Sequence, residues 1–186
     1  MKKQIILLTS LFLFLGSLAL NAQDAQQECN IKYNLFKGDY QSKKYDDAYP
    51  NWMYLMDNCQ KLSINVYKFG DKLAQVRFKN AENKTEAAAL VKRVYTQRLE
   101  NYPTNDPAKA HSNYATFLIK NKLASDQEVF EILQLAYNLD PTRMSVKNIY
   151  RYFQGITDTY KDTNPQKVFD TYDDVLESVG EKLADY

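Results

Sequence analysis

Cys29 and Cys59 are the only two cysteines in a chain of 186 residues, and His111 is its only histidine. Two thiols can close a disulfide or contribute to a metal site. A tetrahedral zinc centre needs four ligands drawn mainly from Cys and His, and one histidine in the whole chain does not complete such a set. His111, in AKAHSNYATF, could act as a general base, but local spacing supplies no partner for it, which leaves a surface or packing role. The adjacent acids Asp46-Asp47 and Asp173-Asp174 point to different sides of a helix, and they lack the alternating oxygen ligands and glycine of a calcium loop. They suit a helix start and a solvated face. No glycine-rich phosphate loop and no G-x-S-x-G elbow occurs. The residue types point to a protein that is not an enzyme and uses no cofactor or metal.

The elements that hold these residues are read from periodicity. Glycine is scarce beyond the first residues, limited to Gly38, Gly70, Gly155 and Gly180, and alternating β-branched runs are missing. Apolar residues recur at helical spacing in Val168, Tyr172, Val175, Leu176, Val179 and Leu183, and again in Val129, Ile132, Leu133, Ala136 and Leu139. Ala87, Leu90, Val91, Val94, Tyr95 and Leu99 form a third such face. Asp106-Pro107 and Asn164-Pro165 read as N-caps followed by proline in the first helical position. Ser125 and Glu128 have the spacing of a capping box. Asn83-Lys84-Thr85 fits the glycosylation pattern, and as the loop before a helix it needs no other role. The pattern predicts helices over 29–42, 46–58, 63–80, 85–101, 107–121, 126–138, 143–160 and 165–183, an all-α chain of four hairpins. Pro50 is tolerated if the second helix starts near Asp46 or Asp47, so that it falls in the first turn, with a mild kink at Tyr49.

Lys2 and Lys3 precede an apolar run from Ile5 to Leu20, and small Ala22 then offers a cleavage point. This pattern predicts a signal peptide over 1–22. The run is about 16 residues long, short of the roughly 20 that span a bilayer. Removing Lys2 and Lys3 turns a net charge of +1 into a slight acid excess, which favours neither nucleic acid nor an anionic membrane as partner. The mature domain, 23–186, is expected to be secreted across the inner membrane, to be periplasmic or associated with the cell surface, and to have no transmembrane segment.

The second helix of each predicted pair repeats a small or β-branched residue with a large one four positions later: Ala48/Trp52, Val91/Tyr95, Val129/Leu133 and Val168/Tyr172. Gln60, Pro103, Pro141 and Gly180 follow each large member at a constant interval. This pattern resembles the tetratricopeptide repeat (TPR) family, most closely in YDDA followed by Trp52 and in LAYNLDP over 135–141. The repeat here is roughly 40 residues, longer than the family's usual 34 or so. Phe36 and Phe117 stand where the family prefers glycine, and Lys32 where it prefers tryptophan. The resemblance implies antiparallel hairpins stacked as a right-handed solenoid over the whole mature chain. In a hairpin of 29–42 with 46–58, Cys29 and Cys59 fall at the same end, where a structural disulfide can form and staple the first repeat.

The resemblance also implies a protein or peptide partner held on a concave surface lined by the first helix of each pair. The chain is rich in aromatic residues, with fifteen Tyr, nine Phe and one Trp. Tyr33, Tyr40, Tyr67, Tyr114 and Tyr150 lie on first helices and are the expected partner-binding residues, with Lys32, Lys37, Lys68 and Asp71 as a mixed-charge rim. The leading expectation is thus an interaction or scaffold module. The alternative is a glycan-binding helical protein of an outer-membrane uptake system, in which tyrosines and Trp52 stack on sugar rings; a buried Trp52 favours the scaffold. The last hairpin has no polar helix after it, so either the last helix caps itself, exposing Asp173, Asp174, Glu177 and Glu181, or it meets a partner or further chain. Self-association through this end is an expectation.

Overall fold

The computed structural model describes residues 24–184; the predicted signal peptide, 1–22, lies outside them. The described residues are all-α: α1 covers 24–41, followed by α2 (Tyr45–Asn58), α3 (Asn65–Asn80), α4 (Lys84–Asn101), α5 (Pro107–Asn121), α6 (Asp126–Leu139), a 3-10 turn at Pro141–Arg143, α7 (Val146–Tyr160) and α8 (Pro165–Ala184). They contain no strand, and none of their helices is long and apolar enough to cross a membrane. The chain divides into two compact units at Asn80/Ala81. That boundary falls inside the predicted hairpin of 63–80 with 85–101.

In the first unit α1 closes with a C-terminal motif in which Lys43 takes a left-handed conformation (φ 60°). The amides of Lys43 and Lys44 donate to the carbonyls of Tyr40 and Asp39, which satisfies groups that a helix end leaves open. α2 begins at Tyr45, earlier than expected, so Pro50 lies beyond the first turn. Its missing N–H deprives the Asp46 carbonyl of an intrahelical donor, yet the helix runs on through it. α1 starts at 24, about one turn before the expected 29, so Cys29 lies in its second turn. Its Sγ is bonded to that of Cys59, with the Cα atoms 5.8 Å apart, which joins the N-terminal part of α1 to the end of α2 as the antiparallel hairpin requires. A disulfide of this kind belongs to a non-reducing, extracytoplasmic setting.

Trp52 is fully buried, and its indole N–H donates to the Val66 carbonyl at 2.9 Å. Phe36, Leu55, Met56, Val66 and Leu73 complete this core. Beside it, the ring of Tyr40 stacks on that of Phe69 with centroids 4.6 Å apart, and the Arg77 guanidinium sits 3.7 Å from the Tyr49 ring centroid.

In the second unit the local caps fall where the sequence places them. Asp106 caps α5 by accepting from the Lys109 amide, and Ser125 and Glu128 form a reciprocal capping box on α6. The predicted helix start at 143 is corrected. Asp140 accepts from the amide and hydroxyl of Thr142, which closes the 3-10 turn, and α7 starts only after Ser145, whose hydroxyl caps the Asn148 amide. Met144 fills the core between the two.

Arg143 forks onto Asp106: its Nε donates to Oδ1 at 3.2 Å and its Nη2 to Oδ2. The turn after α6 is thereby tied to the N-terminus of α5. Leu133, Ala136, Met144, Ile149, Tyr152 and Ile156 form the central core of this unit, with Val175 of α8 against it. Among these apolar residues Asn148 places its amide nitrogen 2.9 Å from Ser112 O, Ser112 Oγ and Thr116 Oγ1. Two amide hydrogens are thus shared among three acceptors, and the contact ties α7 to α5.

Candidate functional site

The second unit carries a groove of about 490 Å³ between α4, α5 and the start of α6. One wall is a stripe of α4, Thr85, Ala88, Ala89 and Lys92, spaced so that all four share a helix face. The two alanines keep that wall low. Tyr114 and Leu118, one turn apart on α5, form the floor, and Leu123 and Ala124 close it where the chain turns toward α6. Glu128, Glu131 and Ile132 of α6 form the opposite wall.

The Tyr114 ring packs on Tyr95 with centroids 4.9 Å apart, which fixes its position in the floor. Burial raises its pKa first, and the charge of Glu128 adds to that, so the hydroxyl stays a neutral donor and acceptor. Glu128 is held below the usual carboxylate range mainly by the Ser125 backbone and hydroxyl, with Lys92 contributing. The groove therefore combines apolar area, one phenol, one lysine and two carboxylates. Such a lining suits a short peptide segment that presents aliphatic side chains beside charged ones.

The other expected partner-binding tyrosines divide by environment. Tyr33 is half-buried, and its hydroxyl accepts from Ser63 Oγ at 3.3 Å and Asn65 Nδ2 at 3.2 Å. It holds α1 to the loop before α3. Tyr40 is half-buried in the aromatic cluster with Phe36 and Phe69. Tyr67 is a correction: it is fully buried, and its hydroxyl donates to the Gln60 carbonyl at 2.9 Å, so it builds the core and presents no face to a partner. Tyr150 is 57% exposed. Only Tyr114 of the five lines the groove.

Among the rim residues, Lys32 lies 5.5 Å from the Tyr54 ring centroid, and Asp71 accepts from Gln75. Lys37 is half-buried and Lys68 exposed. His111 is half-buried, and burial alone lowers its pKa. Among the described residues no three His, Cys, Asp or Glu side chains converge as metal ligands. The buried Trp52 indole offers no surface for a sugar ring.

Ala88, Ala89, Lys92 and Leu123 are groove residues that sequence reasoning missed. The apolar stripe of α4 directs attention to Ala87, Val91 and Val94, which are buried. The visible signal was the second stripe beside it, Thr85, Ala88, Ala89 and Lys92, too small and too polar for a core face. No protein-family model matches this chain, and no curated protein is significantly similar to it.

Proposed function

We propose that the chain is a non-enzymatic, TPR-like protein-interaction module that works outside the cytoplasm, in the periplasm or at the cell surface, after removal of the signal peptide 1–22. In this reading its hairpins stack as a solenoid, and the groove over α4, α5 and α6 takes a peptide segment of a protein partner. The observation that carries it is the position of Tyr114: a first-helix tyrosine, half-buried, forms the floor of a groove with small apolar walls and charges of both signs at its edge. Tyrosine suits such a place because it combines apolar area with a polar tip.

The test is a photocrosslinking residue at Ala89, inside the groove, compared with one at exposed Glu100, at the far end of α4, with the chain expressed in its own host. Protein adducts at Ala89 that are absent at Glu100, and lost with Tyr114→Ala in a still-folded protein, support the reading. Absence of protein adducts at Ala89, together with specific retention of a glycan on an array, would replace it with the glycan reading.

A further inference from the structure

α8 presents two faces, one packed on the unit and one outward and apolar. Thr171, Val175 and Ser178 are buried against the unit, whereas Phe169, Tyr172, Leu176 and Leu183 are 66%, 47%, 52% and 60% exposed. The exposed four lie at spacings that align them along one stripe. Phe153 of α7 borders the stripe, with its ring 5.8 Å from that of Tyr172.

The same face occurs once more in this unit, and there it is covered. Phe130, Leu133 and Tyr137 of α6 precede Phe169, Tyr172 and Leu176 by one constant interval. All three turn toward α7. Phe130 stacks on Tyr152 at 6.0 Å and crosses Gly155 so closely that no Cβ fits there. Tyr137 stacks on Tyr152 at 4.2 Å, and Leu133 is fully buried in the same core cluster as Ile149 and Ile156. The apolar stripe of α8 thus repeats the seat that α6 offers to α7, and no helix among the described residues covers it.

Charge specifies what fits there. Asp170, Asp173, Asp174, Glu177 and Glu181 are all exposed, and helical spacing puts Asp173 and Glu177 at one edge of the stripe with the other three farther round the same flank. The two lysines of the helix are turned inward, Lys167 to the Tyr160 ring at 4.0 Å and Lys182 to the Thr142 carbonyl at 2.9 Å. No ion pair offsets these five acids among the described residues. An antiparallel two-fold contact of α8 with its own copy keeps the acidic flank on the same side of both helices, and would set acids against acids.

We infer that the outer face of α8 is a docking seat for a basic amphipathic helix of a partner protein, which lies on Phe169, Tyr172 and Leu176 as α7 lies on α6, with a small residue over Phe169 and lysine or arginine toward Asp173 and Glu177. This seat is separate from the α4–α6 groove and does not rest on that reading.

The probe is a stapled helical peptide that keeps Ile149, Tyr152, Gly155 and Ile156 at their native spacing, with lysine at its solvent positions, beside a twin with glutamate there. Binding to the full chain is followed by fluorescence anisotropy at low salt. The lysine peptide binds about tenfold tighter than its twin, and Phe169→Ser with Leu176→Ser weakens it by a similar factor. Asp173→Lys with Glu177→Lys removes the preference, whereas Tyr114→Ala leaves binding unchanged. Equal affinity for both peptides, no binding of either, or insensitivity to Phe169→Ser overturns the inference. So does dependence on Tyr114, which would move the peptide to the groove. A dimer in sedimentation that Phe169→Ser dissolves would assign the face to a second copy instead.

Discussion

Gly70 of α3 lies under the Trp52 indole of α2 so closely that a Cβ at that position would overlap the ring. The contact is held by the hydrogen bond from the same indole to Val66 O, one turn earlier on α3. Trp52 therefore cannot retreat without losing a buried partner. Gly70→Ala is expected to destabilise the protein by about 1–3 kcal/mol through overpacking, and Gly155→Ala, under Phe130, to do likewise. Gly38 and Gly180 are also helical but have nothing within 4 Å of a Cβ. Alanine there should stabilise by about 0.5–1 kcal/mol, because it restricts the unfolded chain at no steric cost. Urea midpoints of the four variants check the opposite signs.

The Cys29–Cys59 bond encloses the α1–α2 hairpin. Replacing both cysteines by serine should cost roughly 2–4 kcal/mol. Trp52 is the only tryptophan in the chain and belongs to the first unit, so its fluorescence reports that unit. Its unfolding transition should move to lower urea on reduction, and a midpoint unchanged by reductant would show that the hairpin does not depend on the bond.

Asn148 and Ser112 should behave as a coupled pair. Asn148→Leu removes the donor to Ser112 O and Oγ inside an apolar core, and is expected to cost about 1–3 kcal/mol. With the other partner already truncated by Ser112→Ala, the same change should cost less. A double-mutant cycle that returns no coupling energy would mean that the Asn148–Ser112 Oγ bond adds nothing to stability, since the Ser112 carbonyl and Thr116 Oγ1 remain as acceptors.

Tyr152 sets a limit at alkaline pH. Burial, and then the neighbouring Tyr137, push its phenol from 10.0 to about 12. The folded state therefore keeps the proton longer than the unfolded state. This contribution to stability is fully present below 10.0 and is lost progressively as the pH rises to about 12. Tyr152→Phe should flatten the fall in stability across that window. Denaturation profiles at pH 9 to 12 that fall equally for wild type and variant would count against it.

The sequence by itself determined what depends on near neighbours. The capping box at Ser125 and Glu128 and the Asp106-Pro107 helix start are satisfied within one turn of chain, so residue type and spacing suffice to place them. The cysteine pairing was legible for a related reason: a short connection between two antiparallel helices carries Cys59 back beside the N-terminal part of α1. The turn at Pro141–Arg143 was missed because Met144 is drawn into the core and Ser145 offers a later cap, a choice that packing makes.

Only the tertiary structure decided which tyrosines are surfaces. Helical periodicity identifies a face but not what that face meets. Tyr67 and Tyr114 both lie on first helices of predicted hairpins, yet Tyr67 finds the Gln60 carbonyl in the core and Tyr114 a groove lined by three segments. Phe130 and Phe169 show the same divide. They are one residue type in one repeat position, and α7 buries the first whereas the second stays 66% exposed.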